Sequence, residues 1–261
     1  MDHRFCATPF GTVYCWSVGS GAPLLLLHQA SQSSVEGKAL ADHLADEFQV
    51  IGFDYPGHGW SEDPARELEV EDYAAVALAV LDEFGVDRAH VCGHHSGGIL
   101  TIKLAADHAE RVSTAVISGI GVRSEEIVRA VLDTPMTRDL PVDADGDFLQ
   151  KTWSVYRRMS SPGLTPEQTY AFFIEGLSAR SRPYDAHFAF IRWDWGAAAK
   201  RLRQPALLIY GEHDHFVESP EAIAADIQNS ETVWVKDGGI FLFYEQPAAS
   251  ALEIRRFILA Q

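Results

Sequence analysis

The sequence predicts an α/β fold: a mostly parallel sheet with helices on both faces. Three observations carry that expectation. Short apolar runs alternate with helical stretches along most of the chain. One junction, Ala89 to Asp107, reads as an apolar strand, a glycine-flanked sharp turn and an alanine-rich helix. The chain has 261 residues, 47% hydrophobic and 22% charged, enough to bury one large domain or a domain with a small insertion.

The elements follow in order. Phe10 to Val18 alternates around Thr12, Tyr14 and Trp16 and breaks at Gly19-Ser20-Gly21, which predicts an edge hairpin strand. Pro23 to Leu27 is wholly apolar, the pattern of a strand buried on both faces, and it runs into His28-Gln29. Ser33-Ser34 then caps a helix expected to reach about Phe48. Gln49 to Asp54 is the next strand, closed by the turn Tyr55-Pro56-Gly57-His58-Gly59-Trp60-Ser61. A helix spans Val70 to Phe84 with Gly85 as its stop. Beyond the 89–107 junction, Val112 to Ile117 is strand-like and ends at Ser118-Gly119.

The rhythm is lost from about Val122 to Arg192. That segment is helical in pattern, broken by Pro135, Pro141, Pro162 and Pro183, and rich in aromatics, among them Trp153, Tyr156, Phe173, Tyr184 and Phe188. It reads as a mostly helical insertion, so the expected organisation is a core of 1–121 plus 193–261 with an insert at 122–192. Ala206 to Tyr210 resumes the sheet and meets Gly211-Glu212-His213-Asp214-His215. Thr232 to Val235 is the last strand and leads to Gly238-Gly239-Ile240-Phe241. An amphipathic helix, Pro247 to Leu259, closes the chain.

The formal net charge is −16 and the pI near 5.0, with no basic cluster to offset it. Such a surface repels nucleic acid and anionic membranes, and its plain reading is ordinary solubility; oligomeric state is not legible. Three cysteines, Cys6, Cys15 and Cys92, are too few and too irregular for a disulfide framework or a zinc site. Met1-Asp2-His3-Arg4 precedes no signal-type apolar run, and Leu24 to Leu27 is too short to span a bilayer. The expected setting is a reducing compartment, most simply the cytoplasm.

The stretch Ala89-His90-Val91-Cys92-Gly93-His94-His95-Ser96-Gly97-Gly98 has the layout in which Gly-x-Ser-x-Gly presents a nucleophile on a strained turn. Gly93 and Gly97 fit because strand and helix backbones pass too close there for side chains. The residue at the apex, however, is His95 and not serine.

With these residues in view, the chain resembles the α/β-hydrolase superfamily along nearly its whole length. The resemblance rests on Leu27-His28, on Asp54 to Ser61, on the turn at 93–98 and on His108-Ala109-Glu110-Arg111-Val112. It extends to Gly211-Glu212-His213-Asp214 and to Gly238-Gly239-Ile240-Phe241 with Glu245-Gln246-Pro247. It implies the α/β-hydrolase fold, with 122–192 where the family carries its helical cap. In the family's triad order the acid position is Asp214, intact. The nucleophile position is His95, the usual histidine position holds Ile240, and the usual His-Gly of the oxyanion loop is His28-Gln29. The combination of His-Gln with Gly-His-His is similar to that of some bacterial members, which implies a subfamily design. The resemblance also implies supporting roles for His28 and Glu245, the latter as an anchor of the last helix.

Without an imidazole at 240, Ser96 or any other hydroxyl lacks its usual base. An imidazole at 95 reaches toward the space that Asp214 faces, and a His95–Asp214 pair makes a general base near neutral pH. Such a base activates water, or removes a proton in lyase or isomerase chemistry, with no cofactor and no metal. The Ser96 N–H and the Gln29 amide are the expected oxyanion donors, with His28 beside them. Ile240, Trp153, Tyr156, Phe173 and Phe188 are the expected apolar lining for a small carbonyl or ester-like substrate. Three other readings stay open: a catalytically inactive binding protein on the same scaffold, Ser96 as nucleophile after a one-residue slip, and a metal held by His28, His94, His95, His213, His215 and Asp214.

Overall fold

The computed structural model describes residues 1–30, 32–121, 129, 143–178, 185–215, 217 and 219–261. Pro135, Pro141, Pro183 and Tyr184 of the expected insertion lie outside the described residues.

Eight strands form one sheet: β1 (Asp2–Thr8), β2 (Gly11–Val18), β3 (Ala22–Leu27), β4 (Phe48–Phe53), β5 (Ala89–His94), β6 (Val112–Ser118), β7 (Ala206–Gly211) and β8 (Ser230–Val235). Their spatial order is β1-β2-β4-β3-β5-β6-β7-β8. β1 pairs antiparallel with β2 and β2 antiparallel with β4, while every other neighbour is parallel. The run from Phe10 to Val18 was expected at the edge; it is the second strand in, because Asp2–Thr8 covers it.

The central strand β3 shows why the sheet forms. Leu is a strong helix former, yet Leu24 to Leu27 are all buried. Each buried leucine contributes about 1.5–3 kcal/mol, which outweighs a propensity difference of a few tenths. Alternation splits them between faces: Leu25 and Leu27 join one hydrophobic core, Leu24 and Leu26 the other.

Helices cover both faces. On one lie α1 (Lys38–Asp42) and, further along the chain, the Pro247–Leu259 helix; on the other lie α2 (Val70–Glu83) and α3 (Ser96–Asp107). The helix expected from Ser33 to Phe48 is shorter and broken. Ser33 Oγ caps a single 3-10 turn, Ser34–Gly37, before α1. In the expected insertion, α4 (Asp147–Met159), α5 (Pro166–Ser178) and α6 (Asp185–Arg192) are described. α6 packs on α2 and α3, with Phe190 against Tyr55 and Tyr73, so core packing reaches into this segment. Among the described residues the remaining α-helices are α7 (Trp195–Ala199), α8 (Pro220–Asp226), α9 (Leu242–Glu245) and α10 (Pro247–Leu259). Among the described residues no helix is long and apolar enough to cross a membrane.

Candidate active site

His95 sits at the junction of β5 and α3 with φ 46° and ψ −114°. A non-glycine residue in such a conformation costs about 1–3 kcal/mol and persists only where its surroundings enforce it. Here the His95 N–H donates to the Ser118 carbonyl at 2.8 Å, and its own carbonyl accepts from the Ile99 N–H at 3.2 Å. The flanking glycines are obligatory. A Cβ on Gly93 would stand 2.0 Å from the Gly97 oxygen, and one on Gly97 would stand 2.2 Å from the Leu27 oxygen.

The turn brings the ring to Asp214, on the loop after β7, with His95 Nε2 3.1 Å from Asp214 Oδ2. Asp214 is 8% exposed, and its side chain is sealed from solvent. The contact is close but misdirected, since Nε2 makes no well-aligned hydrogen bond. Gly119, just past β6, makes room for the ring. A Cβ there would lie 2.9 Å from His95 Nε2, and its φ of +68° also favours glycine.

His94, the neighbouring imidazole, is fully buried and does a different job. Its Nε2 lies 2.8 Å from the Ile240 carbonyl, which can only accept, so Nε2 carries the proton. Nδ1 then accepts from the Ser118 hydroxyl at 2.9 Å. Burial, with His95 adding to it, pushes the His94 pKa down to about 3, so the ring is neutral at ordinary pH. His94 therefore pins the loop at 240, and the Ile240 side chain packs with Tyr156, Phe172, Phe173 and Phe241. Trp153 borders that cluster, whereas Phe188 is not part of it. Glu245 holds the same loop: it accepts from the Gly239 N–H at 2.5 Å and from the Ser161 hydroxyl, so it ties this loop to the α4–α5 connection.

The expected oxyanion side differs from its sequence reading. The Gln29 amide is committed to Glu36: Nε2 donates to Oε1 at 2.7 Å and the Gln29 main-chain N–H donates to Oε2 at 2.9 Å. Charge decides this, because a buried carboxylate takes the strongest donors within reach. Glu36, in the Ser34–Gly37 turn, is 1% exposed and lies 3.8 Å from His94 Nε2. Desolvation raises its pKa to about 7, against the lowering effect of the Gln29 bonds and His95. No sequence signal separates Glu36 from a surface acid. His28 is structural: Nδ1 faces the Gln29 carbonyl at 2.8 Å and Nε2 accepts from the Tyr55 N–H at 3.1 Å. Burial holds its pKa well below the usual value. The Ser96 hydroxyl accepts from the Ala30 N–H at 2.6 Å. By contrast the Ser96 N–H, in the first turn of α3, has no carbonyl within the helix to bond.

The five histidines and Asp214 do not assemble as a metal cage, because His28 and His94 are spent on backbone groups. Among the described residues, the metal-type cluster is Glu212, His213 and Asp237, with ligand atoms within 4.8 Å of one another.

Comparison with known proteins agrees with this architecture. The chain is 26% identical over 264 aligned positions to pyrrolizixenacetamide deacetylase from Xenorhabdus hominickii, covering 95% of this chain and 94% of that protein. It is 34% identical over 128 residues to a fluoroacetate dehalogenase from Burkholderia sp., covering 46% of this chain but only 42% of that protein's length. Among solved structures, the enol-lactonase from Burkholderia xenovorans LB400 superposes with a TM-score of 0.84 at 19% identity, over 98% of this chain and 100% of that one. A family model described as alpha/beta hydrolase fold matches residues 22–247. The eight-stranded sheet, the strained turn after β5 and this match agree: the chain belongs to the alpha/beta hydrolase fold family.

Proposed function

We propose that this protein is a cofactor-independent α/β-hydrolase-type enzyme whose general base is His95, oriented by Asp214, with α4 and α5 of the inserted segment as its cap. The observation that carries the reading is the 3.1 Å approach of His95 Nε2 to Asp214 Oδ2 on a strained turn. Nε2 is the nitrogen nearest the carboxylate, which leaves Nδ1 as the base, and the ring is 12% exposed. Nδ1 takes a proton from water, the hydroxide adds to the substrate carbonyl carbon, and the imidazolium returns the proton to the leaving oxygen as the carbon–oxygen bond breaks. The Ser96 N–H is the donor for the developing oxyanion. The aromatic cluster around Ile240 favours a small, mainly apolar ester or related carbonyl compound. The names of the relatives, which span amide, carbon–halogen and lactone chemistry, support a hydrolytic reaction. Lyase or isomerase chemistry needs the same base.

The test is turnover of short-chain p-nitrophenyl esters by wild type, His95→Ala and Asp214→Asn. A general base is worth roughly 10²–10⁴-fold, and both variants should lose activity on that scale. Full turnover by His95→Ala overturns the dyad.

One observation favours a second reading, a binding protein without catalysis. The dyad contact is misaligned, and the Ser96 hydroxyl occupies the Ala30 N–H. In that case wild type shows no turnover, and apolar carbonyl compounds still raise its melting temperature.

A further inference from the structure

Glu36 has no part in the dyad, yet it holds the loop that faces the elbow. Its two oxygens take the main-chain N–H and the side-chain amide of Gln29. The neighbouring groups are also fixed. The Gln29 carbonyl faces His28 Nδ1, the Ala30 carbonyl faces His58 Nε2 at 2.9 Å, and the Ala30 N–H reaches Ser96 Oγ. Gln29 and Ala30 are adjacent, so the Glu36 bonds to Gln29 and the Ala30 N–H to Ser96, the residue after the elbow, hold one turn.

We propose that Glu36 is a positioning residue for the donor side of the site. Its carboxylate clamps the Gln29–Ala30 turn through two bonds, and taking up a proton weakens one of them. An ionised carboxylate accepts both Gln29 donors. A carboxylic acid carries a hydroxyl hydrogen that must find its own acceptor, and its hydroxyl oxygen accepts more weakly than a carboxylate oxygen, so one Gln29 bond weakens. Burial favours the neutral acid, and with a pKa raised to about 7 both forms are populated near neutral pH. Beside the carboxyl lies a cavity of about 10 Å³, room for one water, lined also by His28, Ser34 and Phe243.

The groups facing Glu36 are His94, His28, His95, Tyr55, Tyr244 and Cys92. His94 and His28 are held neutral by burial, and the two tyrosines and Cys92 have their pKa values raised, so they stay protonated. His95 is the one that must be separated experimentally.

The catalytic meaning of this clamp rests on the dyad reading, but its test reads the loop itself. In the full ¹³C,¹⁵N-labelled chain, the Glu36 carboxyl carbon, the Gln29 side-chain amide and the Ala30 N–H are followed by NMR from pH 5 to 9. The expected result is one shared midpoint within about a unit of 7 that persists in His95→Ala, moved only upward there because the imidazole lowers the Glu36 pKa. In Glu36→Gln the steps at Gln29 and Ala30 should vanish. A Glu36 midpoint near the ordinary 4.5, or an Ala30 resonance that ignores it, overturns the proposal, as do steps that persist in Glu36→Gln. The wild-type titration decides even if Glu36→Gln does not fold. An inactive protein that shows the shared midpoint sinks the dyad and leaves the clamp standing.

Discussion

The space a side chain at Gly119 would fill is taken by the ring of His95, and the backbone there has a positive φ. Both facts act against Gly119→Ala. Forcing alanine into that conformation costs about 1–2 kcal/mol, and the added methyl must push the imidazole away from Asp214. We expect a lower urea midpoint together with at least a tenfold loss of esterase turnover. A stable, fully active Gly119→Ala would mean that the ring position is not what catalysis needs. His94 makes a second prediction, in pH. The unfolded chain protonates this imidazole near 6.5, the folded one only near 3, so stability falls as pH drops through that window. Glu36 has the opposite sign: the folded state takes a proton near 7 and the unfolded near 4.5, so stability falls as pH rises between them. The two oppose each other from 4.5 to 6.5, and below 4.5 the His94 effect stands alone. Between pH 4.5 and 3, urea unfolding of His94→Gln should show a slope smaller by up to about 1.4 kcal/mol per pH unit. Equal slopes would mean that the imidazole is already charged in the fold.

Between elements, the joint that matters is aromatic. Phe172 of α5 stacks on Phe241 at 4.3 Å between centroids, and Tyr156 of α4 stacks on Phe241 at 5.3 Å and on Phe172 at 6.1 Å. Gln32 to the Tyr156 hydroxyl and Ser33 to Glu175 add hydrogen bonds from the core. Removing the central ring in Phe241→Ala should cost about 3–5 kcal/mol of packing. Hydrogen exchange across 147–178 should then speed up while α3 stays protected; uniform acceleration would show that these helices unfold with the core. The sequence made much of this frame legible and little of this joint. Apolar runs and glycine punctuation mark β3 to β7 and α10 because burial repeats with the period of each element. Asp2–Thr8 escaped notice because an edge strand with one solvated face carries mixed charges, as the pattern Asp-His-Arg-Phe-Cys-Ala-Thr shows. His95 and Asp214 could be paired because the strained turn and the loop after β7 are fixed by backbone geometry. The commitment of Gln29 to Glu36 is a contact between side chains seven residues apart across a turn, and no periodicity encodes it.

At the scale of the whole molecule, charge sets the last expectation. The chain carries 37 acidic against 21 basic side chains, a net charge of −16. Several of the basic residues are already paired at the surface, as in Arg66–Asp72, Arg111–Asp82 and Arg201–Asp107. Exposed pairs of this kind are worth about 0–1 kcal/mol each, and salt weakens them. Repulsion among the excess carboxylates is also screened by salt, and it acts across the whole surface. Because unpaired acids outnumber the pairs, screening should relieve more repulsion than it removes attraction. Raising sodium chloride from about 10 mM, where charges act over some 30 Å, to about 0.15 M, where they act over roughly 8 Å, should raise the melting temperature. A melting temperature that falls with salt would mean that the surface pairs outweigh the net charge.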